Sequence, residues 1–502
     1  MLKAAVILLA SFAVRAAAAE VPDVPLIAGV SVSGSTPELS DRLLEAFPLR
    51  KGAAYSPEDL PLAREVVLSF YNARGYLEAD ADVSASVSGD EVSVSVAVSE
   101  GPRYIFGRTY FSGLRKLKVR AAERELDYAA GDFYEYSKVM SSLGRLQALG
   151  WFEKLGVSVS SSAAGTVDVH FDLAEHPMLW FKGGVGYGSE ERERVSLGLM
   201  HNNFLGRGYK AEVTGSLSTI WLEYRADVVN RHFLATRTEL GSRSSWRRER
   251  REGYNMETAK TSLGLGRSLT ESLRGSVTYR LQRNLIYRVA PGVSAYAPGL
   301  SRTRSVSLAL NRDTSDEPFY PSRGSRSECL LERAGGLWGG DVDFYKAHLG
   351  ATAYVAAWRR TVFVVSGRGG FVRETGDTRE VPIFERFFAG GANSIRGYAE
   401  RAVGPSDSAG NPIGGRVTAG ANSEFRFPVY GRLRGALFAD GGQAALRTSG
   451  VSPREWKFGA GFGLRYRTPV GPLRADFGYK LNPDGEPSDG RWRIHLTLGE
   501  SF

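Results

Sequence analysis

Two periodicities divide the chain. Through residues 26–177, short alternating apolar runs are interleaved with runs at helical spacing, and the whole order occurs twice. Leu26–Gly34 reads as a strand, Thr36–Pro48 and Pro57–Gly75 as helices, and Leu77–Gly89 and Glu91–Glu100 as strands. The last of these puts Val92, Val94, Val96 and Val98 on one face. The order returns as strand Tyr104–Gly113, helices Arg115–Asp127 and Tyr134–Leu149, and strands Leu155–Ser161 and Thr166–Leu173. Gly52-x-x-Tyr55 and Gly75-Tyr76 recur as Gly131-x-x-Tyr134 and Gly150-Trp151. This predicts two β-α-α-β-β modules, residues 26–102 and 103–177, each an α+β unit of roughly 75 residues. A three-stranded sheet of this kind has an open edge, which either accepts an extended peptide or is blunted and serves as a spacer.

From Met178 onward helical spacing stops and period-two alternation takes over. In Tyr345–Ala357 the odd positions are almost all apolar, while Lys346, His348 and Thr352 occupy even ones. In Val417–Phe427, Thr418, Asn422, Glu424 and Arg426 share the polar parity. In the terminal segment Trp492, Ile494, Leu496, Leu498 and Phe502 lie opposite Arg491, Arg493, His495 and Thr497. Turn signals separate sixteen candidate strands, from Leu179–Gly188 to Arg491–Phe502, which leaves roughly 20 residues per strand and loop. A soluble sandwich also alternates, but its sheets rarely run this long in one domain. The expectation for 178–502 is therefore a 16-stranded antiparallel transmembrane β-barrel, closed because lipid cannot satisfy a free strand edge. Trp180, Trp221, Trp246, Trp338 and Trp358 fall near strand ends, where interfacial girdles would lie.

The N-terminus agrees with that destination. Lys3, the apolar run Ala4–Val14 and the small residues Ala16–Ala19 have the form of a cleavable signal peptide over residues 1–19. No later run of about 18 apolar residues suggests a membrane helix. Cys329 is the only cysteine, so no intramolecular disulfide is possible. An exported chain with net charge +9 is not expected to meet nucleic acid. Its arginines and lysines fit a wet lumen, with RRERRE at 247–252 at a strand end or rim.

Several C-terminal segments carry a family resemblance. RFFAGGANSIRGY at 386–398, GANSEFRFP at 420–428, ALFADGG at 436–442, GFGLRYRTPVGPLRADFGY at 461–479 and terminal Phe502 resemble the BamA/TamA superfamily of outer-membrane assembly factors. NRDTSDEPFYPSRG at 311–324 is similar to a mid-barrel segment of that family. RFFAGGANSIRGY and RTPVGPLRADFGY are nearest to its TamA branch, and the front modules correspond to periplasmic POTRA domains. The resemblance implies a bacterial surface antigen type barrel in the outer membrane. It implies unfolded outer-membrane or secreted polypeptide as client, outer-membrane lipid as surroundings and an inner-membrane TamB-like partner. TamA proteins typically have three modules and this chain shows two, which bears on that last partner.

The resemblance also assigns a site. Ile395, Arg396, Gly397 and Tyr398 match the family's (Val/Ile)-Arg-Gly-(Phe/Tyr) motif, carried on a long loop folded back into the lumen. Its inner-wall partners correspond to Glu424 and Asp440. Parity supports this, since Glu424 is on the polar side of its strand and Phe438 and Asp440 share a side. Gly183, Gly184, Gly186 and Gly188 in the first strand weaken its pairing with the last, near Phe502. In the family that seam is proposed to open sideways; barrels that merely tolerate glycine are the alternative.

No catalytic constellation is visible, so an enzyme is not expected. The six histidines are dispersed without metal-ligand spacing, and no cofactor or metal is implied. Gly184-Val-Gly186-Tyr-Gly188 and Gly459-Ala-Gly461-Phe-Gly463 fall on strands rather than before helices, unlike phosphate loops. The function read here is outer-membrane protein assembly, insertion or translocation. The alternative is a two-partner secretion transporter exporting one dedicated substrate.

Overall fold

The computed structural model describes residues 25–89, 91–162, 165–234, 236–318, 320–468, 471–484 and 490–498. The expected signal peptide Met1–Ala19 and Phe502 lie outside them. The chain divides between Pro177 and Met178 into two compact units.

The first unit contains the repeat. β1 (Leu26–Ser33), α1 (Pro37–Ala46), α2 (Asp59–Asn72), β2 (Asp80–Ser88) and β3 (Glu91–Ser99) form a sheet ordered β1-β3-β2, with β1 parallel to β3. β4 (Ile105–Ser112), α3 (Val119–Glu123), α4 (Tyr136–Ala148), β5 (Phe152–Ser162) and β6 (Thr166–Glu175) repeat it as β4-β6-β5. The valines at 92, 94, 96 and 98 are buried against Leu43, Val67, Phe70 and Tyr71 of the helices. Even the isolated bridges repeat, Leu26 with Ala54 and Ile105 with Phe133.

One element is shorter than its spacing predicts. In place of a helix over Arg115–Asp127, only Val119–Glu123 is α-helical. The reason is a carboxylate. Glu175 Oε1 accepts from the backbone N–H of Arg115 (2.9 Å), Lys116 (3.0 Å) and Leu117 (2.9 Å), which wraps those residues into a turn. Glu100 does the same more simply in the first module, accepting from Thr36 N–H at 2.7 Å. Partial burial alone would raise the Glu175 pKa, but the three N–H donors outweigh it and hold the carboxyl below its ordinary value.

The second unit is a closed antiparallel barrel of sixteen strands, from β7 (Leu179–Gly188) to β22 (Trp492–Leu498). Alternation sorts the side chains as the sequence predicts. Phe181, Val185, Leu349, Leu437, Trp492 and Ile494 are exposed on the outside, while Asp440, Asp476 and His495 are buried within. Trp246 faces out and stacks on Tyr224 at 6.1 Å. Trp221 does not join a girdle. On β10 (Trp221–Phe233) the exposed Tyr224 and Val228 make the even parity the outer one, so Trp221 turns inward beneath Arg247, 4.9 Å away.

The chain enters the barrel at Leu179, so loops leaving odd-numbered strands gather at the far end. The longest of these, residues 375–416, joins β17 (Val362–Glu374) to β18 (Val417–Tyr430) and turns back into the lumen. Ile383 and Ile413 pack there with Tyr254, Ile286 and Val293, and Ala389, Ile395, Tyr398 and Val403 pack with Ala444.

Candidate functional site

The tip of this loop lies against β18, β19 (Leu433–Ala445), β20 (Lys457–Thr468), β21 (Gly471–Lys480) and β22. Arg396 is 4% exposed. Its Nε and Nη2 donate to the two oxygens of Asp440 at 2.7 and 2.8 Å, a bidentate fork, and its backbone N–H donates to Asp440 Oδ2 at 3.0 Å. Nη1 donates to Glu424 Oε2 at 2.7 Å, and the guanidinium lies 3.5 Å from the centre of the Phe438 ring. Ile395 and Tyr398 are both buried beside it.

Glycines on both surfaces permit the approach. A Cβ on Gly459 would sit 2.0 Å from the carbonyl oxygen of Arg396, and one on Gly478 would sit 2.4 Å from Gly397 N. Gly397 itself has φ +96°, in the region that favours glycine. The wall is therefore bare where the loop backbone touches it.

Two carboxylates were expected around Arg396, and there are three. Asp476 Oδ2 lies 3.5 Å from Arg396 Nη1 and also accepts from Arg474 Nε at 2.5 Å. Arg465 donates to Asp476 and, at 3.3 Å, to Glu424, which also takes Arg426 Nε at 2.8 Å. Asn422 Nδ2 joins the loop to the wall by donating to Ser394 O (2.7 Å) and Asp440 Oδ1 (2.8 Å). Asp476 could have been found in the sequence, because Arg474 and Asp476 in RTPVGPLRADFGY share the inward parity.

The same loop reaches the last strand of the seam and the turn that follows the first. Gly397 N–H donates to His495 Nε2 on β22 at 3.1 Å, so the ring proton belongs on Nδ1. His495 Nδ1 stands 3.7 Å from Glu190 Oε1, in the turn between β7 and β8 (Arg192–Phe204). Glu190 accepts in turn from Ala392 N–H of the loop at 2.9 Å. Burial pushes the Glu190 carboxyl up, and the Ala392 N–H opposes that. Alternation put His495 on the polar face without marking its partner, and Glu190 was not singled out at all, since nothing local marks a contact across 202 positions.

Among the described residues, β22 and β7 share only two ladder pairs, Thr497 with Gly188 and Leu498 with Tyr187, whereas β21 and β22 are paired from Leu473–Leu498 to Tyr479–Trp492. The four seam glycines are not alike. A Cβ on Gly186 would lie 3.0 Å from Leu498 O and on Gly188 4.0 Å from Leu496 O. At Gly184 it would meet nothing, and at Gly183 only side chains at 3.8 Å or beyond.

A second ionic anchor holds the base of the loop to other strands. Glu385 is 2% exposed and accepts from Arg280 Nη2 (3.0 Å) on β13 (Leu273–Tyr287) and Lys346 Nζ (3.1 Å) on β16 (Phe344–Ala356). Arg280 is also 2.6 Å from Glu332 of β15 (Gly324–Ala334). Among the described residues there is no group of three or more His, Cys, Asp or Glu side chains placed to hold a metal ion.

Comparison with known proteins places this geometry in a family. The Omp85 superfamily domain profile matches residues 203–502, and the POTRA profile, described as a surface antigen variable number repeat, matches residues 25–101. The outer membrane protein assembly factor BamA of Nitratidesulfovibrio vulgaris is 28% identical over 492 residues, covering 94% of this chain and 61% of its own length. The chain thus spans about three fifths of that relative. The crystal structure of Haemophilus ducreyi BamA lacking POTRA domains 1-3 superposes with a TM-score of 0.79 at 19% identity, covering 94% of this chain and 99% of that one. CdiB from Acinetobacter baumannii superposes with a TM-score of 0.54 at 13% identity, covering 95% and 90%.

Proposed function

Since the chain belongs to the Omp85 superfamily, we propose that it is an outer-membrane protein assembly factor. Its POTRA modules capture unfolded polypeptide in the periplasm and the barrel delivers it into the bilayer at the β7–β22 seam. One observation carries this reading. The loop tip touches the turn after β7 through Glu190 and the last strand through His495, beside a seam with two described ladder pairs. Side-chain contacts from the loop therefore hold both sides of the seam, and a strand that loses them presents an edge to an incoming strand.

No covalent step is required of the chain. Main-chain hydrogen bonds offered at an edge give a client strand affinity. The narrower placing in the TamA branch, with a TamB-like inner-membrane partner, has only two segments behind it, RFFAGGANSIRGY and RTPVGPLRADFGY. Relatives matched over most of the chain include BamA proteins. The second reading, a two-partner secretion transporter, draws on the likeness to CdiB, which is weaker than that to BamA.

Depletion of the protein followed by quantitative comparison of the outer-membrane and secreted proteomes separates these readings. Loss of many barrel proteins supports assembly. Loss of a single secreted protein supports the transporter, and an unchanged profile sinks both.

A further inference from the structure

On the outer wall the apolar surface is interrupted by arginines on three neighbouring strands, with Leu285 and Leu300 exposed again beyond them. The outward residues of β13 run Val277, Tyr279, Leu281 and then Arg283 towards the far end. On β14 (Leu300–Asp313) they run Leu310, Leu308, Val306 and then Arg304 and Arg302, and on β15 Leu331 is followed by Arg333. Register makes this one patch. Arg283 stands directly opposite Arg302, Leu281 opposite Arg304, and Val306 opposite Arg333.

Arg283, Arg302 and Arg304 are exposed, and among the described residues none of their guanidinium groups has a carboxylate within ion-pair reach, the Asp341 carboxylate accepting instead from the Arg302 backbone N–H at 2.9 Å. Arg248, on the outer face of β11 (Thr238–Arg251), shows the contrast: its Nε is 2.9 Å from Glu257. Like charges facing each other across a ladder destabilise it, and arginine on a lipid-facing wall is unfavourable except near the interface. Three neighbouring guanidinium groups without an ion-pair partner therefore point to an anion supplied from outside the chain.

The surroundings say what carries that anion. An outer-wall groove of about 660 Å³ is lined by Tyr224, Trp246 and Leu281 together with the three arginines. Beside it the tip Gly335–Gly340 exposes Leu337 and sets the Trp338 ring 6.0 Å from that of Tyr279. Gly335, Gly336, Gly339 and Gly340 all have positive φ, so the tip's shape is built for glycine. Cations above an apolar groove on a wall that faces hydrocarbon match an amphiphile, charged at one end.

We infer that Arg283, Arg302 and Arg304 bind the phosphate of a lipid head group in the leaflet at the far end of the barrel, with its acyl chains along the Tyr224–Trp246–Leu281 groove. Guanidinium groups suit phosphate because they fork across two of its oxygens. The site needs only the barrel's place in the membrane, so its failure would leave client insertion untouched, and the converse holds.

The test uses the detergent-purified full chain and native mass spectrometry. It is titrated with phosphatidic acid, with the diacylglycerol of the same acyl chains, and with inorganic phosphate. Wild type is expected to retain phosphatidic acid but not diacylglycerol. Replacing all three arginines by glutamine (Arg283→Gln, Arg302→Gln, Arg304→Gln) should weaken binding by about two orders of magnitude, at about fivefold per cation. Arg274→Gln, on the inward parity of β13 and paired with Glu239, should change nothing. Equal retention by the triple variant, or equal binding of diacylglycerol, would overturn the site. Displacement by inorganic phosphate at similar concentration would make it a free-anion site and overturn the lipid assignment. Heat-modified gel migration reports whether each variant folds. If the triple variant does not, Arg302→Gln alone is measured, with about a fivefold loss expected and no loss counting against the site.

Discussion

Replacing Arg396 by alanine removes three guanidinium hydrogen bonds and the stacking on Phe438. The damage falls unevenly on the three carboxylates. Glu424 keeps Arg426 at 2.8 Å and Arg465 at 3.3 Å, and Asp476 keeps Arg465 and Arg474. Asp440 is left with Asn422 as its side-chain partner at 2.8 Å and the backbone N–H of residue 396. It is 2% exposed and becomes a buried charge with no counter-charge in contact. Breaking a buried pair by removing one member costs about 3–5 kcal/mol, and the neighbouring arginines argue for the lower end. A loss of ~3 kcal/mol is about two decades in the docking equilibrium constant, and so in the open fraction of the loop. The readout is limited proteolysis of the folded full chain, with cleavage mapped to residues 387–416 at a protease level where the rate follows the open fraction. Arg396→Ala should be cut there about 100-fold faster. Arg396→Lys should recover little, because an ammonium cannot fork across Asp440 while reaching Glu424. Adding Asp440→Asn to Arg396→Ala should recover much of the loss, since no charge is then stranded. Wild-type cleavage of Arg396→Ala, or no recovery in the double variant, would refute the reasoning.

Gly459→Ala should mimic the loss of Arg396 with every charge in place, because its Cβ would lie 2.0 Å from the Arg396 carbonyl; unchanged cleavage of the loop would contradict that. Glu385→Gln should loosen the loop base by ~2 kcal/mol, the scale of a hydrogen bond to a charged group, since Lys346 loses its carboxylate while Arg280 keeps Glu332. Cleavage near residues 380–386 reports it, and a wild-type pattern would tell against the second anchor. The Glu175 carboxyl binds its proton less tightly in the folded chain than in the unfolded one. Its contribution is therefore complete above the unfolded value of 4.5 and is lost as pH falls through the lower folded value. Hydrogen exchange at residues 115–117, corrected for intrinsic rates, should show protection falling at acid pH in wild type, and that pH dependence should vanish in Glu175→Gln. The same acid fall in both would exclude Glu175 as its cause.

The architecture was legible because each element declares itself locally. Strict alternation marks the barrel strands, and Val92 to Val98 mark a buried central strand. The family resemblance named Glu424 and Asp440, and parity agreed in placing them on inward faces. What could not be read has a common physical cause, contact between distant segments. The turn at Arg115–Leu117 is decided by Glu175, about sixty positions away, and the helix predicted there shrinks to five residues. Trp221 looked like a girdle residue because strand-end position is visible in sequence while its parity depends on where β10 begins. Glu190 and His495 meet the loop only because the barrel closes, and closure brings the first strand beside the last.

The most direct measurement of the central claim locks the seam. Cysteines replacing the ladder partners Tyr187 and Leu498, in a chain whose Cys329 is replaced by serine, would be oxidised after the barrel has folded into lipid vesicles. An unfolded barrel client is then added, and its conversion to a protease-resistant form is timed. The account predicts that the oxidised protein falls to the rate of empty vesicles and that reduction restores the wild-type rate. Full activity with the seam covalently closed would contradict it.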